Sequence, residues 1–384
     1  MAVVRSMISQ LRVYKDKYPI LALTGPRQSG KTTLLRELFP EYTYLSLENP
    51  DLRLFAEKDP NGFLKQYNMH CILDEVQRVP ALFSYLQTLV DDRKVMGQFI
   101  LSGSQNFHLL RSIIQSLAGR VALFKLFPFD FQEMQSEGLL KHDYAEVMLK
   151  GFYPAIFDRD IPSKTFYNNY IQTYVERDIT ELVNIRDMRT FRVFLSMCAS
   201  RAGQLLNLNS LANDCGITQP TAKAWISLLE SSYIIYLLQP YHKNFDKRVI
   251  KSPKLYFYDT GLLCHLLKIR EVDQIRLHSF KGNLFENMMI SEFVKRNYHL
   301  NRMEEFWFWR DSNGNEVDLI RQYDELLDVF EIKSTRTIKP ELFKGLDYFH
   351  ALAKEEVKSK TLVYAGNESQ SRTGVEVMAW NAMK

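Results

Sequence analysis

Gly25-Pro26-Arg27-Gln28-Ser29-Gly30-Lys31-Thr32 matches the spacing GxxxxGK[ST] without a gap. Glycines in such a loop let successive backbone N–H groups turn toward phosphate oxygens. A helix that starts near Lys31 aims its positive end at the same point. Lys31 is the residue type that neutralises β- and γ-phosphates, and Thr32 offers a hydroxyl to Mg²⁺. The context suits this reading. The apolar run Ile20–Thr24 predicts a strand before the loop, and Thr33–Phe39 predicts an amphipathic helix after it. The stretch Gly25 to Thr33 is therefore expected to bind ATP with Mg²⁺.

About forty residues on, Cys71-Ile72-Leu73-Asp74-Glu75 reads as a buried strand ending in two carboxylates. Such a pair is costly inside a protein unless a cation meets it. Asp74 is expected to hold Mg²⁺ through water and Glu75 to polarise the attacking water, which makes the chemistry hydrolysis. The run Phe99–Ser102 predicts the next strand, followed by Gly103 and Ser104. Strand ends at the carboxyl edge of an α/β sheet line its ligand crevice, so Ser104 either senses the γ-phosphate or merely forms a Ser-Gly turn. With further apolar runs at Tyr42–Leu47 and Val121–Leu126, strands alternate with helical stretches, which predicts a parallel α/β sheet. Val3, Val4, Met7, Ile8 and Leu11 predict a helix over 1–18.

The 384 residues exceed a single hydrophobic core, so several domains are expected. A net charge of +4 is too small to argue for nucleic acid by itself, and local clusters must carry that case. The four cysteines include no CxxC pair, which speaks against zinc and for a reducing cytoplasm. No apolar run approaches the ~18 residues of a membrane span.

The blocks GPRQSGKTT, LDEVQRVP, ILSGSQNFHLL, SLAGRVALFKLFPF and GFYPAIF occur in this order. Together they resemble the prokaryotic AAA+ ATPases whose C-terminal region is a domain of unknown function, DUF4143. The resemblance covers nearly the whole chain. It implies a ring in which an arginine from one subunit completes the neighbour's site. Arg120 is the candidate, with Arg111 and Arg177 behind it. Ser104 departs from the asparagine common at that position in AAA+ proteins.

Residues 209–229 have helix-turn-helix form. Gly216 permits the turn, Thr218 caps the second helix and Pro220 sits in its first turn. Gln219, Thr221 and Lys223 are then expected to point outward, where a recognition helix meets DNA. The runs Tyr233–Leu238 and Leu255–Tyr258 predict a hairpin whose tip carries Lys243, Lys247, Arg248, Lys251 and Lys254. Helix-turn-helix plus hairpin is a winged helix, and a basic tip suits phosphate contacts.

Further on, Glu286 lies on an expected helix (283–295), Asp318 in the strand Glu316–Gln322, and Glu331-Ile332-Lys333 in the strand Leu326–Ser334. This is the pattern of PD-(D/E)xK nucleases. Alternate residues of a strand share a face, so Glu331 and Lys333 point together and Asp318 can meet them from the paired strand. Glu286, Asp318 and Glu331 would hold Mg²⁺ while Lys333 orients water. Trp307, Trp309 and Arg310 would stack on or grip a strand.

The expected fold is thus α/β. A P-loop AAA+ module spans 1–150, a helical lid 151–205, a winged helix 206–260 and a restriction-endonuclease-like domain 261–384. The expected function is an ATPase acting on DNA as a homo-oligomeric ring. An ATP-gated nuclease in repair or defence, or a nucleotide-driven signalling switch without DNA, are the alternatives.

Overall fold

The structure, a computed structural model, describes residues 3–104, 116–178, 187–241 and 250–383, apart from the side chains of 176–178. The chain divides into two compact units. The first comprises Met1–Phe129 with Ser231–Tyr233 and Tyr298–Asn301, and the second comprises the remainder.

Among the described residues, the first unit holds a five-stranded sheet of order β2-β3-β4-β1-β5. The strands are β1 (Ile20–Thr24), β2 (Thr43–Ser46), β3 (Cys71–Asp74), β4 (Phe99–Gly103) and β5 (Val121–Lys125), all paired in parallel. Strand β1 is buried at every position because both of its faces are covered. Ile20 and Ala22 join one core with Phe83, Leu86 and Val90 of the helix Leu82–Arg93. Leu21 and Leu23 join another with Leu11, Leu34 and Leu35. The alternation of strand side chains thus produces a helix–sheet–helix stack. The N-terminal helix is shorter than expected, Ile8–Lys15, and Met7 at its cap is itself buried in the second core.

The second unit is helical over much of 131–299. Tyr153, Phe166, Tyr167, Tyr170 and Tyr174 pack as one buried aromatic cluster, which explains the aromatic richness of this stretch. Among the described residues a nine-stranded sheet follows the order β13-β14-β12-β11-β10-β9-β7-β8-β6. Its strands are β6 (Gln204–Leu205), β7 (Ile235–Pro240), β8 (Lys254–Phe257), β9 (Glu305–Arg310), β10 (Glu316–Tyr323), β11 (Leu326–Lys333), β12 (Val357–Tyr364), β13 (Gln370–Arg372) and β14 (Val375–Ala379).

This grouping differs from the expected domain limits in two places. The helices Phe131–Ser136 and Tyr144–Lys150 fall in the second unit, not with the P-loop core. Residues 206–260 and 261–384 also share one sheet. Ile235–Leu238 of β7 pair with β8, and Gln239 and Pro240 continue along Trp307 and Phe308 of β9. Both of β7's edges are used, so the hairpin is an extension of the larger sheet. Among the described residues no helix is long and apolar enough to cross a membrane.

Candidate functional site

The parallel order brings the carboxyl ends of β1, β3 and β4 side by side, with Asp74 opposite Ser102 and Thr24 opposite Gly103. The loop Gly25–Gly30 leaves β1 at this edge and feeds the helix Lys31–Leu38. Gly25 is required there. Its φ is +144°, and a Cβ would stand 2.1 Å from the Leu126 carbonyl oxygen. Lys31 is 7% exposed, and its Nζ donates to the carbonyls of Gly25 (2.9 Å) and Pro26 (2.8 Å). Burial pulls its pKa down to about 8, against the opposing pull of Glu75 and Asp74.

Asp74 is held from several sides. Its Oδ2 accepts from Thr32 Oγ1 (2.9 Å) and Tyr44 OH (2.6 Å). Its Oδ1 accepts from Ser102 Oγ and from the Glu75 N–H (3.2 Å). Glu75 has φ +53°, a left-handed conformation uncommon for a glutamate and typical of strained functional positions. Its Oε2 accepts from Gln77 Nε2 and from Ser104 Oγ (3.2 Å). Thr32, Asp74, Glu75, Lys31 and Ser104 therefore form one cluster. Thr32 Oγ1 and Asp74 are hard oxygen donors beside the phosphate loop, a set that suits Mg²⁺. In the rest of the loop, Arg27 lies 4.0 Å from Glu48, Gln28 is exposed, Ser29 is buried, and Thr33 faces solvent from the helix.

Four participants were not expected from the sequence. Arg5 is 6% exposed, and its guanidinium donates to the carbonyls of Ser29 (2.8 Å) and Phe127 (2.6 Å), bracing the loop from behind. Tyr44, Ser102 and Gln77 complete the carboxylate shell. Ser102 was legible, since it stands two residues before Ser104 on a strand. No sequence signal marks Arg5.

Arg120 stands at the other edge of the sheet. Its carbonyl accepts the Ile20 N–H where β1 begins (3.2 Å), so it lies about 16 Å along the strand from its own phosphate loop. Its guanidinium holds Asp91 through Nε (2.5 Å) and Nη2 (2.8 Å). Arg111 and the Arg177 side chain lie outside the described residues.

In the second unit, the helix Leu208–Cys215 ends at Gly216, and the helix Gln219–Ser231 follows. Thr218 Oγ1 accepts the Thr221 N–H (3.3 Å), the capping bond expected of it. Trp225 packs edge-on to Phe191 and Phe194, while Gln219 and Lys223 face solvent and Thr221 is half-buried. Lys251 is exposed, and Lys243, Lys247 and Arg248 lie outside the described residues.

Lys254 does not belong to the basic tip. It opens β8, is 2% exposed, and its Nζ lies 2.9 Å from Glu286 Oε1 and in contact with Glu316 Oε1. Burial disfavours its charge, but Glu286, Glu316 and Asp318 outweigh that and raise its pKa. Tyr256 OH also donates to Glu286 (2.5 Å), and Arg310 Nη1 meets Glu316 Oε2 (3.0 Å). One oxygen from each of Glu286, Glu316 and Asp318 falls within 4.8 Å of the others. Glu331 stands apart from that trio. Lys333 bridges it to Asp318, at 2.5 Å from Glu331 Oε1 and 2.9 Å from Asp318 Oδ2. Burial, then the Asp318 charge, pushes the Glu331 carboxyl up to about 8, and its Oε2 is buried with no partner. Gly345 makes this crowding possible, because a Cβ there would stand 2.5 Å from the Glu316 carbonyl and 3.0 Å from Glu331 Oε2. The geometry thus gathers Glu286 with Asp318 and joins Asp318 to Glu331 through Lys333. The third carboxylate of the trio with Glu286 and Asp318 is Glu316, which shares a face of β10 with Asp318 and was legible on that ground. Trp309 is wholly buried in the sheet core and Trp307 packs against it, so neither is a free stacking platform.

Residues 17–135 match the AAA domain family. Residues 141–273 match a domain of unknown function, DUF8612, and residues 281–383 match another, DUF4143. Among solved structures, the Walker-type ATPase of Pyrococcus abyssi superposes with a TM-score of 0.42 at 14% identity, covering 68% of this chain and 94% of that one. The ORC2 protein of Aeropyrum pernix in its ADP form gives 0.35 at 11% identity, covering 73% and 96%. An uncharacterized protein of Haemophilus influenzae is 23% identical over 365 residues, covering 85% of this chain and 86% of the relative. An uncharacterized protein of Mycobacterium tuberculosis is 31% identical over 368 residues, covering 94% of this chain and 80% of the relative. With that match, the chain belongs to the family of the mycobacterial protein.

Proposed function

We propose that this protein is an ATPase that acts on DNA. The observation that carries the ATPase reading is the convergence of Lys31, Thr32, Asp74, Glu75 and Ser104 on one edge of a parallel sheet, at the mouth of the phosphate loop. Lys31 and the loop N–H groups would bind the triphosphate, and Thr32 and Asp74 would hold Mg²⁺, which supplies charge neutralisation of the β- and γ-phosphates. Glu75, aimed by Ser104 and Gln77, would accept the proton of the attacking water. Arg120 lies too far along the sheet to serve its own subunit, so its role in hydrolysis would be to reach a neighbour's γ-phosphate in a homo-oligomeric ring, releasing Asp91 to do so.

The DNA reading rests on the helix pair around Gly216 and the following hairpin, a winged-helix arrangement with Gln219 and Lys223 on its open face. Residues 261–384, with Asp318, Glu331 and Lys333 together, support a restriction-endonuclease-like fold. That constellation favours a second reading, an ATP-gated nuclease. Against cleavage stands Lys254, an ammonium already bound where a cation would sit among Glu286, Glu316 and Asp318.

The test is phosphate release with and without duplex, forked and four-way DNA. Lys31→Ala is expected to lose nucleotide binding, and Glu75→Gln to bind but not hydrolyse. DNA stimulation of wild type supports the whole reading. Slow turnover indifferent to every DNA would leave a signalling switch. Metal-dependent nicking lost in Asp318→Ala would establish the nuclease.

A further inference from the structure

A second basic site lies away from the helix pair and the hairpin. Tyr144, Arg276, Lys281, Ser334, Thr335 and Arg336 line a cavity of about 340 Å³ within the second unit. Three cations meet there, and two of them are set by one carboxylate. Asp143 contacts Arg276 Nη2 and lies 3.9 Å from Arg336 Nη2. The backbone fixes Asp143 in turn, because its Oδ1 caps the helix Tyr144–Lys150 by accepting the Ala145 N–H (2.9 Å). Burial resists its charge, but that N–H and the two guanidiniums hold the carboxyl below its usual range. The other anion is Asp273, largely exposed, on Arg276 Nη1 (2.7 Å). Three positive charges thus face two negative ones, and among the described residues the Lys281 ammonium has no acidic partner.

The hydroxyls point the same way. Tyr144 is 5% exposed, and its ring is clamped edge-on against Phe285 with Arg336 6.0 Å over its face. Among the described residues neither its OH nor Ser334 Oγ has a hydrogen-bond partner. The ring is buried while the hydroxyl opens on the cavity, where a bound group can accept its proton. An ammonium and two guanidiniums can only donate, and two free hydroxyls can donate beside them, so the group that fits is an anion with several oxygens. Phosphate has that form. The volume is larger than a phosphate needs and leaves room for an attached sugar. Ser334 and Thr335 follow Lys333 directly, so the cavity opens at the end of β11, the strand that carries Glu331 and Lys333.

We propose that this cavity holds a phosphate, with its sugar, of a nucleic-acid strand, guiding that strand past the end of β11. The proposal rests on the reading that the protein acts on DNA.

The experiment uses the full chain with Lys31→Ala, so that the phosphate loop is silent, and a fluorescent single-stranded oligonucleotide titrated at several salt concentrations. Lys281→Gln with Arg336→Gln is expected to weaken binding roughly ten- to a hundredfold near 0.1 M salt and to flatten the salt slope by about 1.4, or ~0.7 per lost phosphate contact. Tyr144→Phe, which keeps the ring and removes only the donor, is expected to weaken binding several-fold with the slope unchanged. Lys58→Gln with Lys94→Gln is the charge-matched control on exposed lysines. Inorganic phosphate should compete with the strand in the parent protein and lose that effect in the Lys281/Arg336 variant. If that variant binds like the control, the cavity is not a phosphate site, and DNA binding through the helix pair survives. If the parent binds no strand at all, the proposal falls together with the DNA reading. In that event, loss of inorganic phosphate binding in the variant would mark a site for free phosphate instead.

Discussion

Replacing Lys254 by Met tests whether an internal ammonium stands in for a metal in the carboxylate cluster. Met keeps the unbranched stem as far as Cε and removes the charged end. Lys254 is 2% exposed, and it neutralises Glu286 and Glu316 directly. Glu316 keeps Arg310, but Glu286 is left with the Tyr256 hydroxyl alone, beside Asp318. Breaking a buried pair by removing one partner typically costs about 3–5 kcal/mol. For a unit of this size that is a fall in Tm of roughly 6–20 °C. The three carboxylate oxygens lie within 4.8 Å of one another, a spread that one ion with metal–oxygen bonds of about 2.2 Å can bridge once the side chains draw in by roughly half an ångström. Mn²⁺ should therefore rescue the variant, by about 2.7 kcal/mol at a hundred times its dissociation constant. Tryptophan fluorescence is the assay, because Trp225, Trp307, Trp309 and Trp380, all four tryptophans of the chain, belong to the second unit and report on it alone. Wild type should gain little from Mn²⁺. A variant as stable as wild type without metal would refute the argument, as would equal stabilisation of both proteins by Mn²⁺.

Other perturbations probe the remaining geometry. Arg5→Met should leave the Ser29 and Phe127 carbonyls without their donor, costing about 3 kcal/mol and weakening nucleotide binding, measured by urea denaturation and by titration with a fluorescent ATP analogue. Burial holds Lys31 at about 8, so above that pH the amine loses its proton, and ATP affinity should fall about tenfold per pH unit, whereas Lys31→Arg should show a flat profile. Glu331 has its carboxyl raised to about 8, so the folded protein binds the extra proton and its stability falls as pH rises from 4.5 through 8. Glu331→Gln should remove that slope and be the more stable protein above pH 8, and matching pH profiles of Tm in the two proteins would contradict this.

The clustering of the candidate nucleotide-site residues was legible because they are close in sequence or placed by strand logic. The phosphate loop is one uninterrupted stretch, and Asp74 and Ser104 stand at the ends of buried apolar runs that must be neighbouring strands. The parallel sheet follows from those runs and from the helical stretches between them. What escaped is what depends on distant pairing. Arg5 reaches the loop across 24 residues and the Phe127 carbonyl across 122, and nothing local distinguishes it from a surface arginine. Lys254 read as one more charge in a basic tip, because its burial depends on β8 lying beside the Glu286 helix, a contact across 32 residues. Glu331 and Lys333 share a face of their strand and meet Asp318 of the paired strand through the Lys333 ammonium, as the alternation of strand side chains leads one to expect.

The two clusters differ in what a ligand must displace. Lys31 donates to two neutral carbonyls at the phosphate loop, and its charge is penalised by burial. Exchanging those carbonyls for phosphate oxygens replaces neutral acceptors by charged ones, and charge-assisted bonds are about twice as strong. The exchange is downhill, and Lys31 need move only by the length of its own side chain. Lys254 bonds to two carboxylates, and its charge is strengthened by them. Its backbone is fixed between Leu205 and Leu238 in the sheet, and its ammonium is flanked by the Phe308 ring, 5.5 Å from Nζ. A divalent ion entering this cluster must expel an ammonium whose ion-pair partners among the described residues are Glu286 and Glu316 themselves. The exchange there is resisted by the same charges that attract the metal. The proposed nucleotide binding is therefore the exchange that these charges favour. Metal binding at Glu286, Glu316 and Asp318 would require the β7–β8 hairpin to carry Lys254 away.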